Sequence, residues 1–341
     1  MSLLFGVVLL SSLPVLAGAQ ATPSPSASPA ASPSAGLSDT CLTQPIEQKD
    51  RYLIGMSQAN RGEPWRQAMN DQIAAAAAQH PNIEVVFADA AQNNAKQVAD
   101  VETFLQQGID LLIISPNEAA PLTDVVAKAC AQGVPVIVLD RRVNGDQYTM
   151  WIGADNTEIG RLAGTYAATW CQEQGHNPCN IGEIRGLEGS TPAQERGNGF
   201  REGIAANPNA TFVAQQNADW LRERAIPVSQ SMFQANPDIH VLYAHNDPMA
   251  EAAIISAQNQ GLDPNSILFV GIDGLPTADG GLQSVIQGRL DATYVYPTGG
   301  AEAIDWTVRI LAGEQPPKEV VLETIEVTSD NAEAVLAEFG G

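Results

Sequence analysis

Residues 133–142 read GVPVIVLDRR, and this stretch indicates the fold of the chain. Its apolar run from Val134 to Leu139 is short, rich in β-branched residues and bounded by Gly133 and by charges. Such a run is typical of a strand buried on both faces, as in a parallel sheet. Asp140 and Arg141 then follow its carboxyl end, where ligands bind in open α/β sheets. The alternative is a surface ion pair that closes the strand, but other strands of this chain end in the same way.

Strand patterns and helix patterns alternate along the chain from residue 50. The predicted strands are 52–56, 83–87, 110–114, 134–139, 150–152, 180–184, 211–215, 240–243, 267–270 and 292–296. The predicted helices are 65–79, 95–107, 119–131, 156–174, 193–206, 221–235, 248–260 and 280–287. Alternation of this kind requires a parallel, doubly wound sheet. Because the series starts again after residue 155, we predict two similar lobes.

A helix over 302–311 and a strand over 319–327 remain after the second series. These are more elements than the second lobe needs, so we expect the helix to return to the first lobe. The predicted fold class is α/β, with two doubly wound parallel-sheet lobes joined by a multi-strand hinge. The predicted bounds are 46–154 plus 297–322 for lobe one, and 155–296 plus 323–341 for lobe two.

The N-terminal segment predicts export. Residues 2–17 are apolar but short for a membrane span. They end in Ala17-Gly18-Ala19, the small-x-small pattern of a signal-peptidase site, although no Lys or Arg precedes the apolar run. We expect a signal peptide over residues 1–19, with an uncleaved anchor as the alternative. Residues 20–45 then form a Pro/Ser-rich tether, and the protein is periplasmic or extracytoplasmic.

The chain is strongly acidic, with 17 basic and 39 acidic residues and a net charge of −22 over 341 residues. Nucleic acid and anionic lipid are therefore poor partners. No CxxC motif or His-rich set is present, so we expect neither a structural zinc site nor a cofactor.

Four cysteines in an exported chain indicate disulfides. Cys171 and Cys179 flank a predicted helix-to-strand turn, QEQGHNP, so we predict that they pair. Cys41 and Cys130 both fall at the N-terminal edge of a parallel sheet, which makes a second bridge geometrically reasonable.

Short polar groups, charged groups and aromatic rings follow many of the predicted strands. The candidate site residues are Ser57, Trp65, Arg66, Asp140, Arg141, Arg196, Trp220, Asn246, Asp273 and Tyr296. Carboxylates accept hydrogen bonds from hydroxyls, arginines donate to them, and indole faces cover apolar C–H groups. This combination favours a neutral polyhydroxylated ligand.

Other residues near the strand ends have structural interpretations. We interpret His245 as a structural neighbour of Asn246 rather than a base, and Asp155-Asn156 as the N-cap of the long helix. Asp247 either faces the ligand or caps the next helix. Trp151, Trp170 and Trp306 are expected in the core or at an interface.

Several stretches together resemble the substrate-binding proteins of bacterial ABC sugar importers, in the ribose/galactose class. These stretches are PVIVLDRR, ADNTEIGRLAG, ERGNGF, YAHNDPMAEAAI and GIDGLP, and the resemblance runs from about Tyr52 to Ala337. Trp65-Arg66 together with YAHND is most similar to the galactofuranose-binding type. The resemblance implies the type I periplasmic binding protein fold.

The resemblance also implies roles for individual residues. Asp140, Arg141, Arg196, Asn246 and Asp273 fall where the family contacts sugar hydroxyls. Trp65 and Trp220 fall where it stacks aromatic rings on the sugar. Tyr296 departs from the family, since many relatives carry a polar amide or acid there. The implied function is capture of a monosaccharide (a pentose or hexose, including furanose forms) by a monomer that delivers it to an ABC transporter permease.

Two other classes of function compete with this interpretation. A sensor domain would present a sugar or a furanosyl signal to a membrane receptor. An enzyme would need catalytic motifs, and the chain has no Gly-rich phosphate loop, no GxSxG and no metal set. We therefore expect a binding protein rather than an enzyme.

Overall fold

Two six-stranded sheets, each covered by helices, form the part of the chain that the computed structural model describes, residues 41–42 and 46–339. The predicted signal peptide and most of the predicted tether lie outside these residues. The strands are β1 Tyr52–Gln58, β2 Ile83–Asp89, β3 Leu111–Ser115, β4 Val136–Leu139, β5 Met150–Ala154, β6 Cys179–Arg185, β7 Ala210–Asn217, β8 Val241–Ala244, β9 Leu268–Val270, β10 Ala292–Val295, β11 Glu319–Leu322 and β12 Ile325–Thr328. The helices are α1 Pro64–Ala77, α2 Asn94–Gln107, α3 Ala119–Ala131, α4 Asn156–Glu173, α5 Thr191–Ile204, α6 Arg222–Ala235, α7 Asp247–Asn259, α8 Gly281–Ile286, α9 Gly300–Leu311 and α10 Ala332–Phe339.

The two sheets have the same order of strands. The first runs β11-β5-β4-β3-β1-β2 and the second β12-β10-β9-β8-β6-β7. All neighbouring strands are parallel except β10 and β12. Every residue of β4 is buried, as its continuous apolar run predicts. We call each sheet with its helices a lobe, and this two-lobed arrangement confirms the predicted fold class.

The chain passes from one sheet to the other three times: between β5 and α4, between β10 and α9, and between β11 and β12. Helix α9 lies against α1 of the first lobe, where the Thr298 hydroxyl donates to Gln72 at 2.5 Å. The lobes also touch at the lip of the cleft between them. There Gln92 Nε2 donates to the Asp219 carbonyl at 3.0 Å. The residue bounds of the lobes stay a prediction.

The single strand predicted over 319–327 is wrong. The structure has two strands there, β11 in the first sheet beside β5 and β12 in the second beside β10. Glu323 and Thr324 lie between them, and the Thr324 hydroxyl donates to the Val295 carbonyl at 2.7 Å. Each strand is the edge strand of its own sheet. The apolar pattern of residues 319–327 does not show that the segment divides between two sheets.

Two disulfides are present. Cys171–Cys179 joins the last turn of α4 to the start of β6, as predicted from the sequence. Cys41–Cys130 ties the start of the described chain to α3. Within the described residues, none of the helices combines the length and the apolar character that crossing a membrane requires.

Glycines bring α4 and α5 into backbone contact. A Cβ added at Gly160 would lie 2.3 Å from the Arg196 carbonyl oxygen, and one at Gly199 would lie 2.0 Å from that of Thr157. Gly164 repeats the pattern one turn further on. This contact holds Arg196 of α5 beside the first turn of α4, where the chain leaves the first sheet.

We predict that Gly199→Ala pushes α4 and α5 apart, because the new Cβ meets the Thr157 carbonyl. The free energy of unfolding should fall by about 1–3 kcal/mol, the range for overpacking, although Ala is the better helix former. Gly62→Ala is the matched control, since the nearest atom to its Cβ would be 3.7 Å away. Chemical denaturation measures both, and equal stability of the two variants would contradict the close contact.

Candidate functional site

The carboxyl ends of the strands in both lobes converge on one cavity. It is lined by Glu63, Trp65, Arg66, Asp140, Arg141, Pro192, Arg196, Trp220, Asn246, Asp273 and Tyr296. Nine of the ten candidate residues are therefore brought together.

Ser57 is the exception, because it does not line this cavity, and its role in the site stays a prediction. Its side chain is fully buried but does not belong to the cavity wall. Side chains alternate between the faces of a strand, and a Cβ at Gly55, two residues earlier, would point at Phe104 of α2. Ser57 therefore points toward the helix layer.

Sequence reasoning missed two residues of the wall, Glu63 and Pro192. Glu63 is the residue before α1 and accepts from Asn60 Nδ2 at 2.6 Å, while Pro192 lies in the first turn of α5. Both belong to loops and helix starts rather than strand ends. The signal for both was a proline at the start of a helix.

The Asp140 carboxylate is buried and held by groups from separate elements. Arg66 of α1 donates to Oδ2 at 2.7 Å, and both side chains are 3% exposed. The Tyr296 hydroxyl, from the segment after β10, donates to Oδ1 at 2.6 Å. Arg66 also donates to the Ser115 hydroxyl of β3. The pair predicted at the end of β4 thus faces a pocket rather than the surface.

Arg196 is fixed from two sides. Its Nε donates to Asn156 Oδ1 at 2.8 Å, and its NH1 group donates to the His245 carbonyl. The guanidinium carbon lies 4.5 Å from the ring centre of Tyr296, whose hydroxyl accepts from Asn156 Nδ2 at 3.2 Å. Asn156 therefore connects Arg196 to Tyr296. The preceding residue, Asp155, caps α4 by accepting a hydrogen bond from the Glu158 amide, as predicted.

His245 has a structural role, as expected. Its Nδ1 accepts from the Gly186 amide at 3.3 Å, and its Nε2 lies 3.0 Å from Glu183 Oε1. Burial alone would raise the pKa of Glu183, but hydrogen bonds from His245 and Arg201 outweigh it and lower the pKa to about 2. Burial lowers the pKa of His245. This network fixes the backbone that holds Arg196.

Two indole rings contribute to the wall. Trp65 stacks on Tyr296 with ring centres 5.1 Å apart, and its Nε1 donates to the Tyr296 carbonyl at 2.7 Å. Trp220 lies beneath two guanidinium groups, with the Arg141 and Arg196 carbons 5.4 and 5.5 Å from its ring centre. The predicted stacking residues thus both face the cavity.

Asn246, rather than Asp247, caps α7. Its Oδ1 accepts from the Met249 amide at 3.1 Å, and its Nδ2 donates to the Trp220 carbonyl at 3.1 Å. Asp247 accepts instead from the Thr293 hydroxyl and the Gly274 amide. Burial raises the pKa of Asp247 to about 7. Asp247 supports the loop that carries Asp273 and does not line this cavity.

Three residues of the wall adopt left-handed backbone conformations. Their φ angles are 66° at Asp140, 75° at Trp220 and 132° at Asp273. Residues other than glycine rarely adopt such angles, which cost about 1–3 kcal/mol each and cluster at functional sites. The surrounding sheets therefore hold these three side chains in place at an energetic cost.

Several polar atoms of the wall have no hydrogen-bond partner among the described residues. They include the buried nitrogen atoms Arg66 Nε, Arg141 Nε and Trp220 Nε1. Buried donors are normally paired, so these nitrogens indicate a ligand that accepts hydrogen bonds. Burial and then Arg66 lower the pKa of Arg141 to about 10, so it stays charged at neutral pH.

The wall carries basic and acidic side chains together. Three arginines (Arg66, Arg141 and Arg196) face three carboxyl groups (Glu63, Asp140 and Asp273). Burial and then Asp247 raise the pKa of Asp273 well above its usual value. In the part of the chain that the structure describes, no three His, Cys, Asp or Glu side chains are grouped to hold a metal ion. A wall that holds carboxyl groups as well as guanidinium groups favours a neutral ligand with many hydroxyls, which both donate and accept.

Two doubly wound lobes with a small polar and aromatic cavity between their strand ends define a class of ligand-binding protein. A family model described as a periplasmic binding protein domain matches residues 54–315. The chain therefore belongs to the family of periplasmic sugar-binding proteins, whose members bind ligands and are not enzymes.

Named relatives fit this assignment. The ribose import binding protein of Bacillus subtilis (strain 168) is 31% identical over 72% of this chain and 76% of its own length. The galactofuranose-binding protein of Escherichia coli (strain K12) is 31% identical over 71% of this chain and 76% of its own length. The solved fructose-binding periplasmic domain of a hybrid two-component system has a TM-score of 0.80 at 40% identity, covering 84% of this chain and 94% of its own.

We predict that Tyr296→Phe weakens sugar binding five- to tenfold, which corresponds to the roughly 1–1.5 kcal/mol of one hydrogen bond. The change removes the hydroxyl that bonds Asp140 and Asn156 but keeps the ring on Trp65. Calorimetric titration measures the effect.

Tyr294→Phe is the matched control for this prediction, because its hydroxyl donates to Glu326 at 2.9 Å and does not line the cavity. Its affinity should equal that of the wild type. Identical affinities for all three proteins would mean that the Tyr296 hydroxyl has no part in orienting the site.

Proposed function

We propose that the protein captures a neutral monosaccharide between its two lobes and delivers it to an ABC importer. One observation carries this proposal: basic and acidic side chains, among them unpaired buried donors, surround a cavity whose wall includes two indoles. A sugar has hydroxyl groups that both donate and accept, and C–H faces that pack on aromatic rings. A nucleotide would add net negative charge, and a free amino acid lacks the several hydroxyl groups that such a wall can bind.

Capture follows from the distribution of the wall over both lobes. Trp65, Arg66 and Asp140 belong to the first lobe, and Arg196 and Trp220 to the second. A ligand that contacts both sides stabilises the closed arrangement over an open one. The three chain crossings are the hinge of this motion, and the permease would bind the closed form.

Import rather than another use of the sugar is supported by the relatives. The Bacillus subtilis relative is named for ribose import, and the Escherichia coli relative for binding galactofuranose. We therefore propose a pentose or hexose, with furanose forms among the candidates, and a monomer that works outside the cytoplasm.

A sensor is the second candidate, because the fructose-binding domain that resembles this chain belongs to a two-component system. In that case the closed form would contact a membrane receptor instead of a permease. Uptake of the radiolabelled sugar separates the two, since deleting the gene abolishes uptake only if the protein serves an importer.

A thermal-shift screen tests the class of ligand. We expect one of ribose, arabinose, fructose, galactose or glucose to raise the melting temperature, since a hundredfold excess over Kd adds about 2.7 kcal/mol. For a chain of this size that is roughly 5–10 °C. Amino acids and nucleotides should leave the melting temperature unchanged. A shift with an amino acid and none with any sugar would overturn the proposal.

A further inference from the structure

A second cavity adjoins the first. Asp273 lines both cavities, and Pro64, which lines the second, directly follows Glu63 of the first. Most of its wall comes from the loop between β9 and α8 and from the first turn of α7. Pro64, from α1, completes the wall, so this cavity also spans the two lobes.

The Asp273 carboxyl group is unpaired although its residue is only 6% exposed. Its backbone is engaged, as the amide donates to Tyr294 and the carbonyl accepts from Tyr296. No hydrogen bond or ion pair reaches the side chain from any residue that the structure describes. A buried carboxyl without a partner is costly. Because burial and then Asp247 raise the pKa of Asp273, its carboxyl group can donate one hydrogen bond when protonated and still accept others. One sugar hydroxyl would leave positions open toward the second cavity.

The charges of Arg222, Asp247 and Glu251 in the second cavity already have partners, whereas Asp279 is exposed and unpaired among the described residues. Glu251 pairs with Arg222 and accepts from the Ser284 hydroxyl. Both Asp247 oxygens are occupied, by the Thr293 hydroxyl at 2.7 Å and the Gly274 amide at 2.9 Å. Solvent hydrates the exposed Asp279, so the buried part of the wall calls for neither an anion nor a cation. It offers the carboxyl group of Asp273 and the hydroxyl group of the exposed Thr277.

The second cavity has a tight floor and an exposed mouth. A Cβ at Gly281 would lie 1.9 Å from Asp247 Oδ2, so the floor is backbone packed on the carboxylate. Pro64, Thr277 and Asp279 at the mouth are exposed. A substituent of a sugar bound in the first cavity could pass Asp273 and would then run along this floor toward solvent.

The geometry points to a substrate class broader than bare monosaccharides: the second cavity receives a neutral, hydroxylated substituent carried by the sugar. The substrates are then glycosides with a polyol or short-saccharide arm, with Asp273 bonding both the sugar ring and the arm. This inference rests on the proposed function, since it takes the first cavity as the site of the sugar ring.

The experiment compares three probes: the best-binding sugar of the thermal-shift screen, its methyl glycoside and its glyceryl glycoside, each as both anomers. Calorimetry should find that one anomer of the glyceryl glycoside binds with an affinity within about tenfold of that of the free sugar. The glyceryl group gains contacts in the second cavity while the sugar ring keeps its contacts in the first. Thr277→Trp, which fills the mouth, should weaken that glycoside at least about tenfold and change the free sugar less than about threefold.

Thr103→Trp is the matched control, the same substitution at an exposed position of α2 that lines neither cavity. It should leave both affinities unchanged. Binding of the free sugar with no binding of either glycoside overturns the inference, and so does a glycoside affinity that Thr277→Trp leaves intact. Absence of binding by every monosaccharide would instead overturn the proposed function.

Discussion

The Asp140 carboxylate is buried, and the groups that neutralise it come from three parts of the chain. Arg66 reaches it from α1, Tyr296 from the segment after β10, and Arg141 from the next position in sequence, with its Nε 3.9 Å away. A buried carboxylate without such partners would cost several kcal/mol. The geometry of the cavity depends on this interaction, because both of its partners also position Trp65. Arg66 directly follows Trp65 in the chain, and the Tyr296 ring stacks on the indole. The opposite wall is connected to Asp140 through hydrogen bonds, because Asn156 bonds both Tyr296 and Arg196.

The fold supplies what these contacts need. Parallel strands deliver their side chains to one edge of each sheet, and the glycines of α4 and α5 bring Arg196 within reach of Asn156. The left-handed conformations of Asp140, Trp220 and Asp273 turn three side chains into the cavity. Three nitrogen atoms of the wall and the buried Asp273 carboxyl group lack hydrogen-bond partners there, and the hydroxyl groups of a sugar can supply them.

Much of this was predictable from the sequence, for physical reasons. Buried strands are read from their apolar runs, as at β4, and their ends mark a site in any doubly wound sheet. The direction of the Ser57 side chain was not predictable, because the sequence does not show which face of a strand end is turned toward the cavity and which toward a helix. Glu63 was missed because its position depends on a loop rather than on a strand. The split into β11 and β12 depends on two sheet edges that no local pattern encodes.

The central claim is that a sugar joins the two lobes and closes the cleft between them. Small-angle scattering measures this most directly, on the wild type with and without a saturating amount of the sugar that calorimetry shows to bind. The account predicts that the radius of gyration falls when the sugar is added. An unchanged radius of gyration at full saturation would contradict it, because the ligand would then bind without bringing the lobes together.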